Sequence, residues 1–520
     1  MSLFVNERDL ALDILTSITK NKVFSHIAID QALSKHQDLE KYKRGFISHL
    51  VEGTLERLLE IDYIINQFSK TPTKKMKPVI CNIIRMGVYQ LKYMDSIPQS
   101  AVCNEAVKLA KKRGFGKLSG FVNGNLRSIA RNLDNITYPK ETIPSMEIKY
   151  SIPAWIIEMW LGSYPVDIVE QIVKSFHEKK TLTIRTNLSK ITTDELEKKI
   201  LEELCKGKEC NKEHGKEHQK DSSGGALKKV NIIKHRYLPY ALKLSGIDYV
   251  AGLKSFKEGN FYIQDVSSML VGELANVKEN DYVVDLCAAP GGKTLHVADK
   301  MLVSYDKKSV NCKLSRNDKW ISGDEKIRNE GADKLQNVTR VGDWRCNENI
   351  LGLVDARDLT DRKVALILEN GSRGGFDNIK VSKKDATILD NVILKKADIV
   401  IADVPCSGLG VLGRKPDLRY NVSPDVIDEL IVIQRKILAN AAAYVKPGGS
   451  LIFSTCTISP KENIENVYWL LERFPELELV AIDKELTKSL KSAIIEKGCL
   501  QLLPGIHDCD GFFIAKFRLR

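Results

Sequence analysis

Two cysteines follow apolar runs in the last third of the chain. Cys406 stands in IADVPCSGLG, after the run Ile399 to Ala402 and three residues beyond Asp403. Cys456 stands in LIFSTCTISPKENIENV, just past a strand expected over Ser450 to Ser454. A buried cysteine is ordinarily a small hydrophobe. Two at strand ends, one beside a carboxylate and both flanked by polar turn residues, read instead as reactive thiols facing one cleft.

A third stretch, DLCAAPGGKT from Asp285 to Thr294, follows the apolar run Tyr282 to Leu286 and opens a helix. Gly291 and Gly292 let a ligand approach the backbone, and the helix N-terminus offers unpaired N–H groups. The ending GGKT suggests a phosphate loop, but that motif needs glycine where Cys287 stands. A cofactor held by its ribose and carboxyl group, such as S-adenosylmethionine, fits as well and needs an acidic residue ending the next strand. In an uninterrupted unit that residue comes about 20 positions later. Here a polar stretch of about 302–349 intervenes and is read as an insertion. Asp358, 358 − 285 = 73 residues on, then ends a short strand. A further strand over Asn378 to Val381 delivers Asp385, a natural partner for the adenine.

All of these groups need a scaffold that brings strand ends together. From Asn260 onward apolar strands, among them ADIVIADVP, SLIFSTC and FFIAKF, alternate with helical patterns. This predicts an α/β, Rossmann-like domain over 260–520, with a mostly parallel sheet and ligands at the carboxyl ends of its strands. From Glu7 to about Arg131 apolar residues recur at helical spacing, so 1–135 is expected to be an all-α domain. Its last two helices gather Lys108, Lys111, Lys112, Arg113, Lys117, Arg127 and Arg131, either a solvated basic face or an RNA-contacting one.

Leu133 to Ser151, with Pro139 and Pro144, reads as a linker. Residues 136–259 as a whole are taken as that linker and a small α+β domain that includes TLTIRTN. Cys205 to Gly225 is too polar to order itself. It holds Cys205, Cys210, His214 and His218, but the spacer between the two pairs is too short for a zinc finger, and no metal is expected.

At 520 residues the chain needs several cores. A hydrophobic fraction of 43% with 28% charged residues is that of a soluble protein, and no apolar run is long enough for a membrane span. The N-terminus lacks a basic region followed by an apolar leader, so a cytoplasmic location is expected. Eleven scattered cysteines suit reduced thiols rather than a disulfide framework. A net charge of +12 favours a polyanionic partner, nucleic acid above all.

The stretches FYIQDVSSML, DLCAAPGGKT, DVPCSGLG with RKPD, STCTISPKEN and LPGIHDCDGFFIAKF together resemble the RsmB/Nop/Sun family of RNA cytosine-C5 methyltransferases, in its RsmB/Sun/Fmu type. The helical region resembles the NusB-like RNA-binding domain of that type, through IIRMGVYQL, NEAVKLAKKRG and GFVNGNLRSIAR. The resemblance implies a class I methyltransferase acting on 16S ribosomal RNA, free or partly assembled, as a monomer. It implies that Cys456 attacks carbon 6 of cytosine, that Cys406 serves breakdown of the adduct, and that Asp403 engages the N3 edge. S-adenosylmethionine would be held by Cys287, Ala288, Ala289, Pro290, Gly291, Gly292 and Lys293, with Asp358, Asp385 and Asp403. Arg414 and Asp417 would shape an RNA-facing lip or form a loop-stabilising ion pair. The same chemistry on transfer RNA or large-subunit RNA, and a non-catalytic RNA-binding factor, are the alternatives.

Overall fold

Asn6 opens the first helix by accepting the Asp9 N–H at 2.9 Å, the usual work of an N-terminal cap. The computed structural model describes residues 6–36, 39–178, 181–205, 230–247, 249–308, 352–482, 486 and 490–520. The chain forms two compact units. One is helical and comprises the described residues up to 178 with Ser407–Ile427 and Leu503–Asp508; the remainder forms the other.

In the helical unit Glu7–Asn21, Lys41–Glu56, Leu58–Phe68, Pro78–Tyr93 and Ser119–Arg131 pack through Leu15, Leu50, Ile64, Ile84, Val88 and Leu126, all at most 1% exposed. Gly87 lets two of these helices approach closely, since a Cβ there would lie 2.6 Å from Leu126. The expected basic face is partly neutralised. Arg113 pairs with Asp9 and Asp13, and Lys112 with Asp9, on the first helix.

The expected linker is largely helical. Thr142–Tyr150 is a helix with Pro144 in its first turn, where a missing N–H costs nothing. The helices Ala154–Leu161 and Val166–Ser175 follow it.

Among the described residues the second unit holds two sheets. Strands β1 (Leu182–Thr186), β2 (Asn231–Lys234), β3 (Ala241–Ser245) and β4 (Phe261–Ile263) make the smaller one, in the order β2-β3-β1-β4, all antiparallel. Just past β1, the N–H groups of Leu188 and Ser189 bind Asp299, tying this sheet to the helix Gly292–Lys308. That helix runs past the point where the insertion was expected to begin. Positions 309–349 of that expected insertion and 206–225 of the other, with Cys210, His214 and His218, lie outside the described residues.

The larger sheet contains, among the described residues, β5 (Tyr282–Asp285), β6 (Leu353–Asp358), β7 (Ile379–Lys383), β8 (Ala397–Asp403), β9 (Val445–Thr455), β10 (Leu477–Leu479), β11 (Ile494–Glu496), β12 (Cys499–Leu502) and β13 (Phe512–Leu519). The parallel part runs β7-β6-β5-β8-β9, and β13, β12 and β11 continue it antiparallel, with β10 pairing β13. Successive side chains alternate between two cores. Val283, Ile399, Ile401, Ile452 and Ile514 pack on one face, and Val284, Val400, Phe453 and Phe513 on the other. The strand order reverses between β5 and β8, which leaves a crevice at their carboxyl ends.

Candidate active site

Asp285 closes β5 and is 1% exposed. Its Oδ2 accepts the Thr294 hydroxyl at 2.7 Å, fixing the start of the helix Gly292–Lys308 against the strand end. Between them the loop turns tightly: the Gly291 N–H donates to the Ala288 carbonyl at 2.7 Å, with Gly291 at φ +107°, which side chains resist. Burial pushes the Asp285 carboxyl up to about 7, with the Thr294 hydroxyl and the Lys293 charge opposing and the Asp403 charge adding.

The folded chain therefore keeps a proton that the unfolded chain, with an ordinary value of 3.8, releases. The stability tied to this proton is present below about pH 4 and is lost as pH rises through about 7. Asp285→Asn removes that loss. Its stability relative to the unsubstituted protein is expected to be about 1–3 kcal/mol more favourable at pH 8 than at pH 5, read from urea midpoints without cofactor. Equal differences at the two pH values would show that Asp285 is ionised throughout.

Asp358 ends β6, and its Oδ2 accepts the Ala289 N–H at 3.0 Å, so the carboxylate reaches the loop despite the intervening chain. Its other oxygen accepts the Leu359 N–H and faces the Lys363 ammonium at 3.0 Å. Asp385, just past β7, accepts the Thr387 hydroxyl and N–H on Oδ1, and these bonds hold it below the usual carboxylate range. Cys287 is pushed up by burial, then by the Asp285, Asp358 and Asp403 charges, so its thiol stays protonated. Two buried oxygens, Asp285 Oδ1 and Gln264 Oε1, have no partner among the described residues, and the Gln264 amide lies beside Gly292. Buried acceptors without partners, next to an open glycine turn and a helix N-terminus, suit a bound polar ligand.

Asp403 ends β8, opposite Ser454 in the parallel register with β9. Its Oδ1 accepts the Ser454 hydroxyl and its Oδ2 faces the Lys293 ammonium, both at 2.7 Å. Burial disfavours charge on Lys293, but Asp403, by charge and hydrogen bond, outweighs this and raises it, with Asp285 and Cys456 adding to the effect. The glycine loop and Asp403 thus meet through one ion pair.

Cys406 and Cys456 follow the ends of β8 and β9, and their sulfurs are 3.3 Å apart. Cys406 is raised well above an ordinary thiol, by the hydrogen bond to Cys456 first, then by burial and the charges of Cys456, Glu462 and Asp403. The two thiols share this one hydrogen bond, in which either sulfur can be the donor.

A buried amide network fixes both turns. Gln434 Nε2 donates to the Pro405 carbonyl and to Glu462 Oε1, both at 3.0 Å. Asn463 Nδ2 donates to the Thr457 carbonyl at 3.0 Å and to Gln501 Oε1 at 2.8 Å, while Asn463 Oδ1 accepts the Thr455 hydroxyl. Gln434, Glu462, Asn463 and Gln501 carry no sequence assignment. Glu462 and Asn463, polar residues just past a strand end in SPKEN, offered a signal. Gln434 and Gln501 offered none.

Asp417 departs from expectation. It is 2% exposed and accepts the N–H and hydroxyl of Ser25 within the helical unit, so it lines no solvent-facing lip.

Comparison with known proteins follows the same division of the chain. The family model described as 16S rRNA methyltransferase RsmB/F matches residues 347–518, and that of the NusB family matches 5–131. A Bacillus subtilis relative named "Probable ribosomal RNA small subunit methyltransferase B" is 30% identical over 98% of both chains. The chain belongs to the RsmB/F methyltransferase family. A second RsmB relative, the Cronobacter sakazakii ribosomal RNA small subunit methyltransferase B, is 25% identical over 98% of both chains.

The RsmB/F fold extends to solved structures. PH0851 superposes with a TM-score of 0.72 at 23% identity, covering 99% of this chain and all of that one. NSun6 from Pyrococcus horikoshii with SFG superposes with a TM-score of 0.51 at 19% identity, covering 71% of this chain and 98% of its own. The expected class, a NusB-like helical region followed by a Rossmann-like methyltransferase domain, is what this RsmB/F chain has. Among the described residues no helix is long and apolar enough to cross a membrane.

Proposed function

We propose that this RsmB/F enzyme transfers a methyl group from S-adenosylmethionine to carbon 5 of a cytosine in 16S ribosomal RNA, through a covalent bond between Cys456 and carbon 6. The observation that carries this is the 3.3 Å apposition of Cys406 and Cys456 beside the Asp403–Lys293 pair. The small-subunit substrate in the names of the relatives supports the choice of RNA. In this reading residues 1–135 bind RNA, 136–259 help to clamp it, and 260–520 carry the chemistry. The enzyme works as a cytoplasmic monomer.

Carbon 5 of cytosine is a poor nucleophile until a thiolate adds to carbon 6 and turns the ring into an enamine. The Cys456 sulfur forms the bond to carbon 6, and its negative charge passes through the ring toward N3. Asp403, held by Lys293 and Ser454, meets that edge, passes to N3 the proton that the Cys456 thiol gives up, and as a carboxylate accepts the hydrogen bond of the N3–H so formed. The bound cofactor supplies an electrophilic methyl group. Once carbon 5 is methylated, its proton passes to water, and the electron pair left behind re-forms the double bond to carbon 6 and expels the Cys456 sulfur as thiolate. Cys406, against Cys456, serves that second half. Flipping of the base, or a single-stranded target, is required for access.

Residues 287–293 and Asp358 fit the cofactor: the glycine turn, the helix N-terminus and the carboxylate at the end of β6 match its carboxyl group and ribose, and Asp385 its adenine. Asp358→Ala removes both the ribose acceptor and the brace on the Ala289 N–H. It is expected to weaken S-adenosylmethionine binding about 10- to 100-fold by calorimetry, about 1.4–2.8 kcal/mol. An unchanged dissociation constant would remove Asp358 from the site.

The function itself is tested by bisulfite sequencing of RNA from a deletion strain. One protected cytosine in 16S RNA should be lost and should return on complementation. A loss confined to transfer RNA or large-subunit RNA would overturn the substrate, and no loss in any RNA would overturn the chemistry.

A further inference from the structure

The segment after Cys406 leaves the unit that holds the thiol. Ser407–Ile427 belongs to the helical unit, and the chain returns to the methyltransferase unit at Asp428. Two charged side chains, Asp417 and Arg419, at 2% and 0% exposure, fasten this segment among the helices.

Asp417 accepts the backbone N–H of Ser25 at 3.1 Å, and also the Ser25 hydroxyl. Ser25 is the first residue of the helix Ser25–Ser34, whose own N-cap residue, Phe24, makes no side-chain bond to it. Asp417 therefore caps that helix from a distant part of the chain, with a negative charge at its positive end.

Arg419 does the converse at two helix C-termini. Its Nη1 donates to the carbonyls of Glu56, Tyr150 and Ser151 at 3.1, 3.3 and 3.2 Å. Glu56 and Tyr150 are the last residues of Lys41–Glu56 and Thr142–Tyr150, where unpaired carbonyls and the helix dipole favour a cation. Arg419 Nη2 donates to the Leu412 carbonyl at 3.1 Å, which folds the segment back on itself. The Tyr420 hydroxyl adds a bond to the Leu55 carbonyl at 3.0 Å, and Leu409 and Leu412 are fully buried.

We propose that Asp417 and Arg419 are positioning residues for Cys406: by closing three helix ends they immobilise the segment that begins one residue after the thiol. This rests on the reading of Cys406 as the thiol that serves breakdown of the adduct. The latch on this segment then governs product release, while methyl transfer by Cys456 does not depend on it. A chain with a weakened latch methylates once and stays bonded to its RNA.

The test uses full-length protein, a 16S RNA transcript, labelled S-adenosylmethionine and the variants Asp417→Ala, Asp417→Asn and Cys406→Ala. For Asp417→Ala, single-turnover methyl transfer should stay within about threefold of the unsubstituted protein, while steady-state turnover falls about tenfold and denaturation-resistant protein–RNA complex accumulates. Asp417→Asn, which keeps an acceptor oxygen for Ser25, should recover most of the turnover. Melting curves of both variants separate a weakened latch from lost folding. If the complex stays at its ordinary level in Asp417→Ala while Cys406→Ala accumulates it, the latch is refuted and the role of Cys406 stands. If Cys406→Ala accumulates none, the role of Cys406 fails and the latch with it.

Discussion

Cys456→Ala is expected to lower single-turnover methyl transfer by at least about four orders of magnitude, a barrier increase of roughly 5–6 kcal/mol. Without the sulfur, carbon 5 has no enamine to draw on. Cys287 is held protonated in the cofactor loop, and Cys406 is raised far above an ordinary thiol. The loss belongs to chemistry, not to folding. The turn around position 456 is fixed by Thr455, Thr457 and Asn463, whose bonds the substitution leaves in place. The S-adenosylmethionine dissociation constant of the variant should therefore match that of the parent. A variant that retained a tenth of the parent's single-turnover rate would show that Cys456 is not the attacking group.

The second large effect falls on Asp403. Asp403→Ala is expected to cost about 10²- to 10⁴-fold in the single-turnover rate, the range found when a positioned acid–base or charge-stabilising group is removed. The substitution also strips Lys293 of its carboxylate partner, the influence that keeps its buried ammonium charged. Asp403→Asn preserves an acceptor for the Ser454 hydroxyl and should lose less. Cofactor affinity distinguishes two roles: action on the cytosine leaves the S-adenosylmethionine dissociation constant within about tenfold, whereas a purely cofactor-binding role weakens it in step with the rate.

Much of this site could be read from the chain because strand ends announce themselves. An apolar run that stops at Asp285, Asp403 or Thr455 has only one carboxyl end, and a parallel sheet gathers those ends. Asp358 was recoverable across the intervening chain because the pattern resumed with a strand ending in a carboxylate.

Partners chosen by tertiary packing were not legible in this way. Asp417 sits in a polar segment that resembles an exposed loop, and only the fold places it at the start of the helix Ser25–Ser34. Gln434 lies in a helical pattern with nothing to mark it, yet it bonds the carbonyl of the residue before Cys406. Thr142–Tyr150 was obscured because prolines 139 and 144 suggest a break, although a proline in the first turn of a helix is harmless.

The division of labour between the two thiols is tested most directly by trapping. Cys406→Ala and Cys456→Ala are each incubated with 16S RNA and S-adenosylmethionine, denatured and digested, and the RNA-bearing peptide is identified by mass spectrometry. Cys406→Ala should yield a denaturation-resistant complex with the nucleotide on Cys456, methylated at carbon 5, and Cys456→Ala should yield none. A complex formed by Cys456→Ala, with the nucleotide on Cys406, would reverse the assignment.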